Sequence, residues 1–401
     1  MQIRHIRDEL DDLIDAHAKG SLDRRSFVKR VLALGITMPS ISAFIASLTR
    51  PETALAATPP AGDPVDITVG FFPTWEGGAS GVVVKHRELW KKYLPKGSKV
   101  SWDAQIVGPP IVTNLLANKN QIGYLGDTPA MVSTTKRDIA DIRMVECNLF
   151  SPTGQMCGFI LVSKSAPDFA DFREFTKWLN GKTIGVSGKG SCGDRMVAAL
   201  LEKSGAKANV AYLAPTIIKT SLMANKVDAV QAFQPHTSQI VDQKIGKIVA
   251  TGSIYGVEDA SFIIMRKDFI DNHAEAAKGW VKADLEALKF MLTNPYETVK
   301  YLGAELPGFS TMTIWKSIYG QYDPKFGGKP VNTIAQASFS PDVLKFIDFN
   351  VKFLNQRGVL KTDKLPEGAV YDKLVKEAAS ELGFTFPLGT IKGQPESAFR
   401  K

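Results

Sequence analysis

The apolar pattern changes character twice along the 401 residues. Residues 1–23 are polar, with charges of both signs. The stretch 31–49 (VLALGITMPSISAFIASLT) carries no charge. From residue 66 onward, short apolar runs alternate with segments of helical spacing. DITVGFF at 66–72 reads as a mostly buried strand, and 79–94 as a helix with Val, Leu and Trp on one face. A second strand begins at Lys99, and 109–118 forms a helix with proline in its first turn, where the missing N–H costs nothing. QIGYL at 121–125 is a third strand. The middle of the chain repeats the alternation. Strand Thr183–Ser187 leads to helix 193–204, strand Val210–Leu213 to helix 215–224, and strand Asp228–Phe233 follows. Beyond it, helices are expected at 274–292, 295–303, 311–319 and 340–356.

Alternating strands and helices argue for parallel α/β sheets. Two buried-strand runs, 158–164 and 261–267, bracket the middle unit. This suggests two lobes joined by two crossings, near 155–160 and 257–262. One lobe would come from both ends of the chain and face a lobe built from its middle. Ligands of open α/β sheets sit beyond the carboxyl ends of strands, so the expected site lies in a cleft between the lobes.

The amino-terminal segment reads as an address. Arg24-Arg25-Ser26-Phe27 precedes the uncharged stretch, and Ala54-Leu55-Ala56 offers small residues at signal-peptidase spacing. Together they look like a twin-arginine export signal over 1–56. Nineteen uncharged residues could also anchor a membrane, but Thr37, Pro39, Ser40 and Ser42 dilute them. The expectation is therefore cleavage and a soluble periplasmic product.

Composition narrows the classes. Hydrophobic residues make up 44% and charged residues 22%, which excludes wholesale disorder. The net charge is +8, and the first 56 residues hold eight basic and seven acidic side chains, so nearly all of it belongs downstream. That balance suits an anionic ligand. No basic stripe or motif marks a nucleic-acid binder. Cys147, Cys157 and Cys192 match no zinc spacing. In an oxidising compartment either a Cys147–Cys157 or a Cys157–Cys192 pair is conceivable.

The strongest local feature is TIGVSGKGSCGDRM at 183–196, a strand running into a glycine-rich turn that opens a helix. Free N–H groups and the helix dipole favour an anion there. Ser187, Gly190, Ser191 and Cys192 are the candidate contacts, with Lys189 or Arg195 adding charge. The plainer reading makes Ser191 a helix cap. Neither GxxxxGK[ST] nor GxGxxG is present. Asp127, in Gly126-Asp127-Thr128-Pro129, either accepts from a cationic ligand group or caps the next helix. Trp75, on the loop after the first strand, either stacks on a ligand or anchors a lobe surface. His236 can donate to an anion, but a structural histidine is the commoner case. Met156-Cys157 hints at a soft-metal site, against the ordinary reading of a buried cysteine. No nucleophile elbow, HExxH or carboxylate pair supports catalysis, and no cofactor is implied.

The order of these motifs, over about residues 62–380, resembles the periplasmic solute-binding proteins of the nitrate/sulfonate/taurine class of ABC importers. The resemblance implies a bilobal, mixed α/β periplasmic-binding-protein fold of the second topological type, with two mixed sheets joined by two crossings. Its parts would be lobe 1 at 62–156 and 262–401, and lobe 2 at 157–261. It implies capture of a small anion in the cleft, delivery to permease subunits, a monomer, and no chemistry on the solute. Its ligand loops fall on Pro73, Thr74 and Trp75, on Gly108 and Pro109, on Asp127 and Thr128, and on Gly190, Ser191 and Cys192. The family's Trp-Asp-Pro is here Phe233-Gln234-Pro235. Gln234 cannot counter an amine, which favours a non-amine organic anion over taurine. A pyrimidine-synthesising enzyme of the same fold, and a soft-metal or redox carrier using Met156, Cys157 and Cys192, are the alternatives.

Overall fold

The computed structural model describes residues 62–399 except 74, 323 and 328–331, together with 26, 29 and 30. The chain divides into two units, Met1–Ala57 and Thr58–Lys401. The export-signal residues Arg24, Arg25, 31–49 and Ala54–Ala56, and the loop residue Thr74, lie outside the described residues.

The second unit contains two mixed sheets, in the bilobal arrangement the sequence suggests. Sheet A has the strand order β12-β11-β4-β10-β3-β1-β2. Its members are β1 (Asp66–Phe71), β2 (Lys99–Ala104), β3 (Ile122–Gly126), β4 (Ile142–Ser151), β10 (Asp259–Arg266), β11 (Asn332–Ala335) and β12 (Gly389–Lys392). Sheet B has the order β7-β6-β8-β5-β9. It comprises β5 (Phe159–Ser163), β6 (Thr183–Val186), β7 (Asn209–Tyr212), β8 (Ala229–Ala232) and β9 (Gly246–Thr251). The chain passes from A to B between β4 and β5 and returns between β9 and β10.

In each sheet three strands run parallel, β2-β1-β3 in A and β7-β6-β8 in B, flanked by antiparallel neighbours. Along β5, Ile160 and Val162 enter one apolar cluster while Phe159 and Leu161 enter another on the opposite face. Both faces of sheet B are therefore covered, which is why FILV reads as an unbroken apolar run rather than an alternation.

One expectation needs correction. The helix expected over 79–94 is two helices, Ala79–His86 and Trp90–Tyr93. It breaks where Glu88 takes a left-handed conformation, φ 50°, which reverses the chain's twist at the cost of a close approach between its Cβ and a carbonyl oxygen. The second helix-forming segment of note, Lys373–Leu382, and strands β4, β9, β11 and β12 have no counterpart in the pattern-based expectations.

Strand β4 explains its own concealment, because it buries polar side chains in sheet A. Glu146 and Asn148 are fully buried. Asn148 donates to the Gly77 carbonyl (3.0 Å) and accepts from Ser261 Oγ (2.6 Å). Beside them, Tyr124 donates to Asp284 Oδ1 at 2.8 Å and Trp280 Nε1 donates to the Tyr124 hydroxyl at 3.2 Å. Burial pushes Asp284 up to about 6, against hydrogen bonds that pull it down. Burial, and then the Asp284 carboxylate, push Glu146 well above the carboxyl range.

The folded protein thus holds protons that the unfolded chain releases near pH 4. Unfolding free energy must fall as pH rises through 4 to 6 and beyond. Asp284→Asn, which cannot ionise, is expected to flatten this decline, leaving the variant relatively more stable at pH 8 than at pH 4.5. Melting temperatures of variant and wild type across that range check the slope.

Candidate functional site

One cavity of about 700 Å³ lies where the two parallel strand sets end. Sheet A supplies Phe72 and Trp75 after β1, Ile106–Pro109 after β2, and Gly126–Pro129 after β3. Sheet B supplies Ser187–Lys189 after β6, Leu213–Pro215 after β7, and Phe233 after β8. Cys157 and Asp259 reach it from the two crossings. All six contributing loops leave carboxyl strand ends, the position at which open α/β sheets bind ligands.

Of the residues expected from sequence, Trp75, Gly108, Pro109, Asp127, Thr128, Ser187, Ser191 and Cys192 line the cavity. Trp75 is stacked on Phe72, centroids 4.8 Å apart and planes 10° from parallel, so the pair forms one flat apolar wall. Gly190 lies behind the wall. It takes φ +75°, and a Cβ there would come within 2.4 Å of Val359, so only glycine fits. Its carbonyl accepts from Thr128 Oγ1 at 2.8 Å, joining the two sides.

Gln234 and His236 are outside the cavity. Gln234 is fully buried, donating to the Tyr322 hydroxyl and accepting from Ser238 Oγ. The amine argument built on it therefore has no bearing on the ligand. His236 packs edge-on against Phe233 and Phe309. Burial, and then Lys219, hold it down to about 4, so it is a neutral structural ring.

The helix start is more committed than its sequence suggests. Ser191 is the cap, its Oγ accepting from the Asp194 N–H at 3.1 Å. The Asp194 carboxylate takes the Gly190 N–H at 2.9 Å. Its oxygens also accept from Arg357, at 2.9 and 2.7 Å. Arg195 turns away from the ligand space. It pairs with Asp127 at 2.6 Å, both side chains nearly solvent-free, and donates to Asn350 and the Glu258 carbonyl. Asp127, expected to take a ligand cation or to cap a helix, makes no capping hydrogen bond and is already engaged by a cation of the protein itself. It accepts from Arg195 and from the Thr128 N–H, while Gly126 stands at the cap position.

Cys157 and Cys192 form a disulfide, and Cys147 is free and buried. Both thiolates a soft metal would need are thus consumed. Among the described residues, no group of three or more His, Cys, Asp or Glu is arranged to hold a metal ion.

The walls are mostly apolar: Phe72, Trp75, Ile106, Val112, Leu116, Val132, Leu213, Phe233 and Val359. Lys136 and Lys189 supply the cations, both on exposed side chains. The sequence reading placed Gly108 and Pro109 on the exit loop of β2 but missed Ile106 there, and it missed the exit loop of β7 (Leu213) together with Lys136, Asp259 and Val359. The rule that every parallel strand's exit loop faces the site would have found the β7 loop.

A model of the NMT1-like family matches residues 61–301, more than half of the chain. The chain belongs to the NMT1-like family. This meets the family resemblance drawn from the motif order. The taurine-binding periplasmic protein of Escherichia coli (strain K12) is 24% identical over 205 residues, half of this chain and 59% of that protein. The chain thus spans about six tenths of the length of that curated relative. Among solved structures, the periplasmic aliphatic sulphonate binding protein SsuA from Escherichia coli aligns with a TM-score of 0.62 at 19% identity, covering 78% of this chain and all of that one. The periplasmic nitrate-binding protein NrtA from Synechocystis PCC 6803 aligns with a TM-score of 0.63 at 17% identity, covering 80% and 90%. These structural likenesses place this NMT1-like chain in their fold.

Proposed function

We propose that the protein is the extracytoplasmic solute-binding component of an ABC importer. It captures a small organic anion in the cavity between its sheets, delivers it to permease subunits and performs no chemistry on it. The observation that carries this reading is the cavity itself, assembled from the carboxyl ends of both parallel strand sets with Lys136 and Lys189 beside it. The family relatives named for taurine, aliphatic sulphonate and nitrate support the anionic class.

Apolar walls around 700 Å³ favour an anion with an organic body over nitrate, which would leave most of that space unfilled. In this reading the lobes are 62–156 with 262–401, and 157–261, and the protein acts as a monomer. The disulfide fits an oxidising compartment, in keeping with a periplasmic address reached through the twin-arginine signal at 1–56.

Thermal-shift measurements on the full chain with alkyl and aryl sulfonates, carboxylates, nitrate and pyrimidines test the proposal. A sulfonate or carboxylate present at a hundredfold its Kd is expected to add about 2.7 kcal/mol, a clear rise in melting temperature, and to be recovered unchanged by mass spectrometry. Shifts produced only by cations or metals overturn the anion reading.

A further inference from the structure

We infer that Asp259 binds the ligand directly, as a neutral carboxylic acid that donates a hydrogen bond to the ligand's anionic group. This rests on the anion reading above and names a contact within the same cavity.

Asp259 opens β10 at the returning crossing and lines the cavity, yet it is only 2% exposed. Its two oxygens are not equivalent. Oδ2 accepts the Cys157 N–H at 2.8 Å. Oδ1 is buried and accepts no hydrogen bond of ordinary geometry, the Met156 N–H beside the carboxyl pulling it only weakly toward ionisation. A buried polar atom left unpaired costs about 1–3 kcal/mol, and an ionised one costs more. Either a ligand or a proton must answer for it.

The charges around it decide which form it takes. Asp127 stands on the adjoining helix start, and its negative charge opposes ionisation of Asp259. Glu76, buried on the turn after β1, feels the charge of Asp259 in the same sense. Arg195, the near cation, is already bonded to Asp127, Asn350 and the Glu258 carbonyl. Glu258 precedes Asp259 in the chain and is half-buried. Lys136 and Lys189 belong to the cavity but carry exposed side chains. Burial, and then Asp127, push Asp259 up to about 8.

At neutral pH the carboxyl is therefore protonated and its O–H is a donor. A sulfonate or carboxylate oxygen can accept from it without meeting a negative charge. A buried carboxylic acid kept neutral so that it can donate is an established way of stabilising an anion. It also accounts for how a cavity walled by two aspartates takes an anion: one is neutralised by Arg195, the other by its own proton.

The test is the Kd of toluenesulfonate for the full chain from pH 6 to 9.5, by calorimetry, in wild type and Asp259→Asn. This probe does not titrate in that range. Wild-type affinity is expected to hold to about pH 7.5 and to fall at least tenfold by pH 9.5, as Asp259 ionises. Asp259→Asn keeps a donor that cannot ionise, so its affinity should stay within threefold of wild type at pH 6 and remain level to pH 9.5. Asp259→Ala should bind weakly throughout. Wild-type affinity that is level across the range, or that rises with pH, overturns the assignment while leaving the anion reading intact. Failure of toluenesulfonate to bind at pH 6, together with no melting shift from any alkyl sulfonate, carboxylate or nitrate, overturns both.

Discussion

Replacing Arg195 with methionine is expected to destabilise the protein by about 3–5 kcal/mol, the usual cost of removing one partner from a buried ion pair. The guanidinium is 2% exposed and gives its donors to Asp127, Asn350 and the Glu258 carbonyl. Methionine fills part of the volume but leaves the Asp127 carboxylate buried, unpaired and beside Asp259. The loss should therefore exceed that of an ordinary large-to-small change. It should also be largely recovered when Asp127 is neutralised as well. The double variant Arg195→Met, Asp127→Asn is expected to lie closer to wild type than the single one, a coupling that urea unfolding of the four proteins reads directly. A cost below 1 kcal/mol for the single variant would show that the pair is not holding this contact. The neighbouring Asp194–Arg357 pair offers a control. Arg357 is 33% exposed, and the buried Asp194 keeps the Gly190 N–H and the Tyr212 hydroxyl as donors, so Arg357→Met should cost distinctly less.

The position of Arg195 also explains what could be read from the sequence and what could not. The turn at 187–193 announces itself through glycines and a capping serine, and both readings offered for it are local. The partners of Asp194 and Arg195 are not local. Arg357, Asp127 and Asn350 lie 163, 68 and 155 residues away. Nothing in a dipeptide says which distant charge will meet it, so Arg195 looked available to a ligand when it was already engaged. The same limit governs Gln234 and His236. They follow β8 directly, but the chain turns them into the protein while Phe233 stays at the cavity.

Fold was more legible than site because sheet B is covered on both faces. Runs such as FILV and TIGV have no alternation to lose and stand out as buried strands. Strand β4 failed this test because Glu146 and Asn148 interrupt its apolar run with side chains that only tertiary partners can satisfy. The four-residue strands β11 and β12 are too short to show a period. Asp259 was invisible for a related reason. An aspartate beside a glutamate reads as a surface turn until the returning crossing carries it under the cavity.

The other large effect concerns the disulfide. Both sulfurs belong to cavity residues, Cys157 on the outgoing crossing and Cys192 at the first turn of the helix after β6. The bridge closes a loop of 35 residues, and chain entropy alone assigns such a loop about 4 kcal/mol. Reduction, or the double change Cys157→Ser, Cys192→Ser, is expected to lower stability by roughly that amount. It should also weaken ligand binding, because the same bond fixes the helix start against the crossing from which Cys157 donates to Asp259. Loosening it frees the Asp259 carboxyl from the Cys157 N–H.

Urea unfolding with and without a strong thiol reductant separates the contributions. Wild type should respond to the reductant and the double serine variant should not, since Cys147 is buried and unpaired. A wild-type midpoint unmoved by reductant, with complete reduction verified by mass, would mean that packing around the cavity holds this joint without the bond. An affinity unchanged by reduction would separate the ligand site from the crossing, and would assign the disulfide to stability alone.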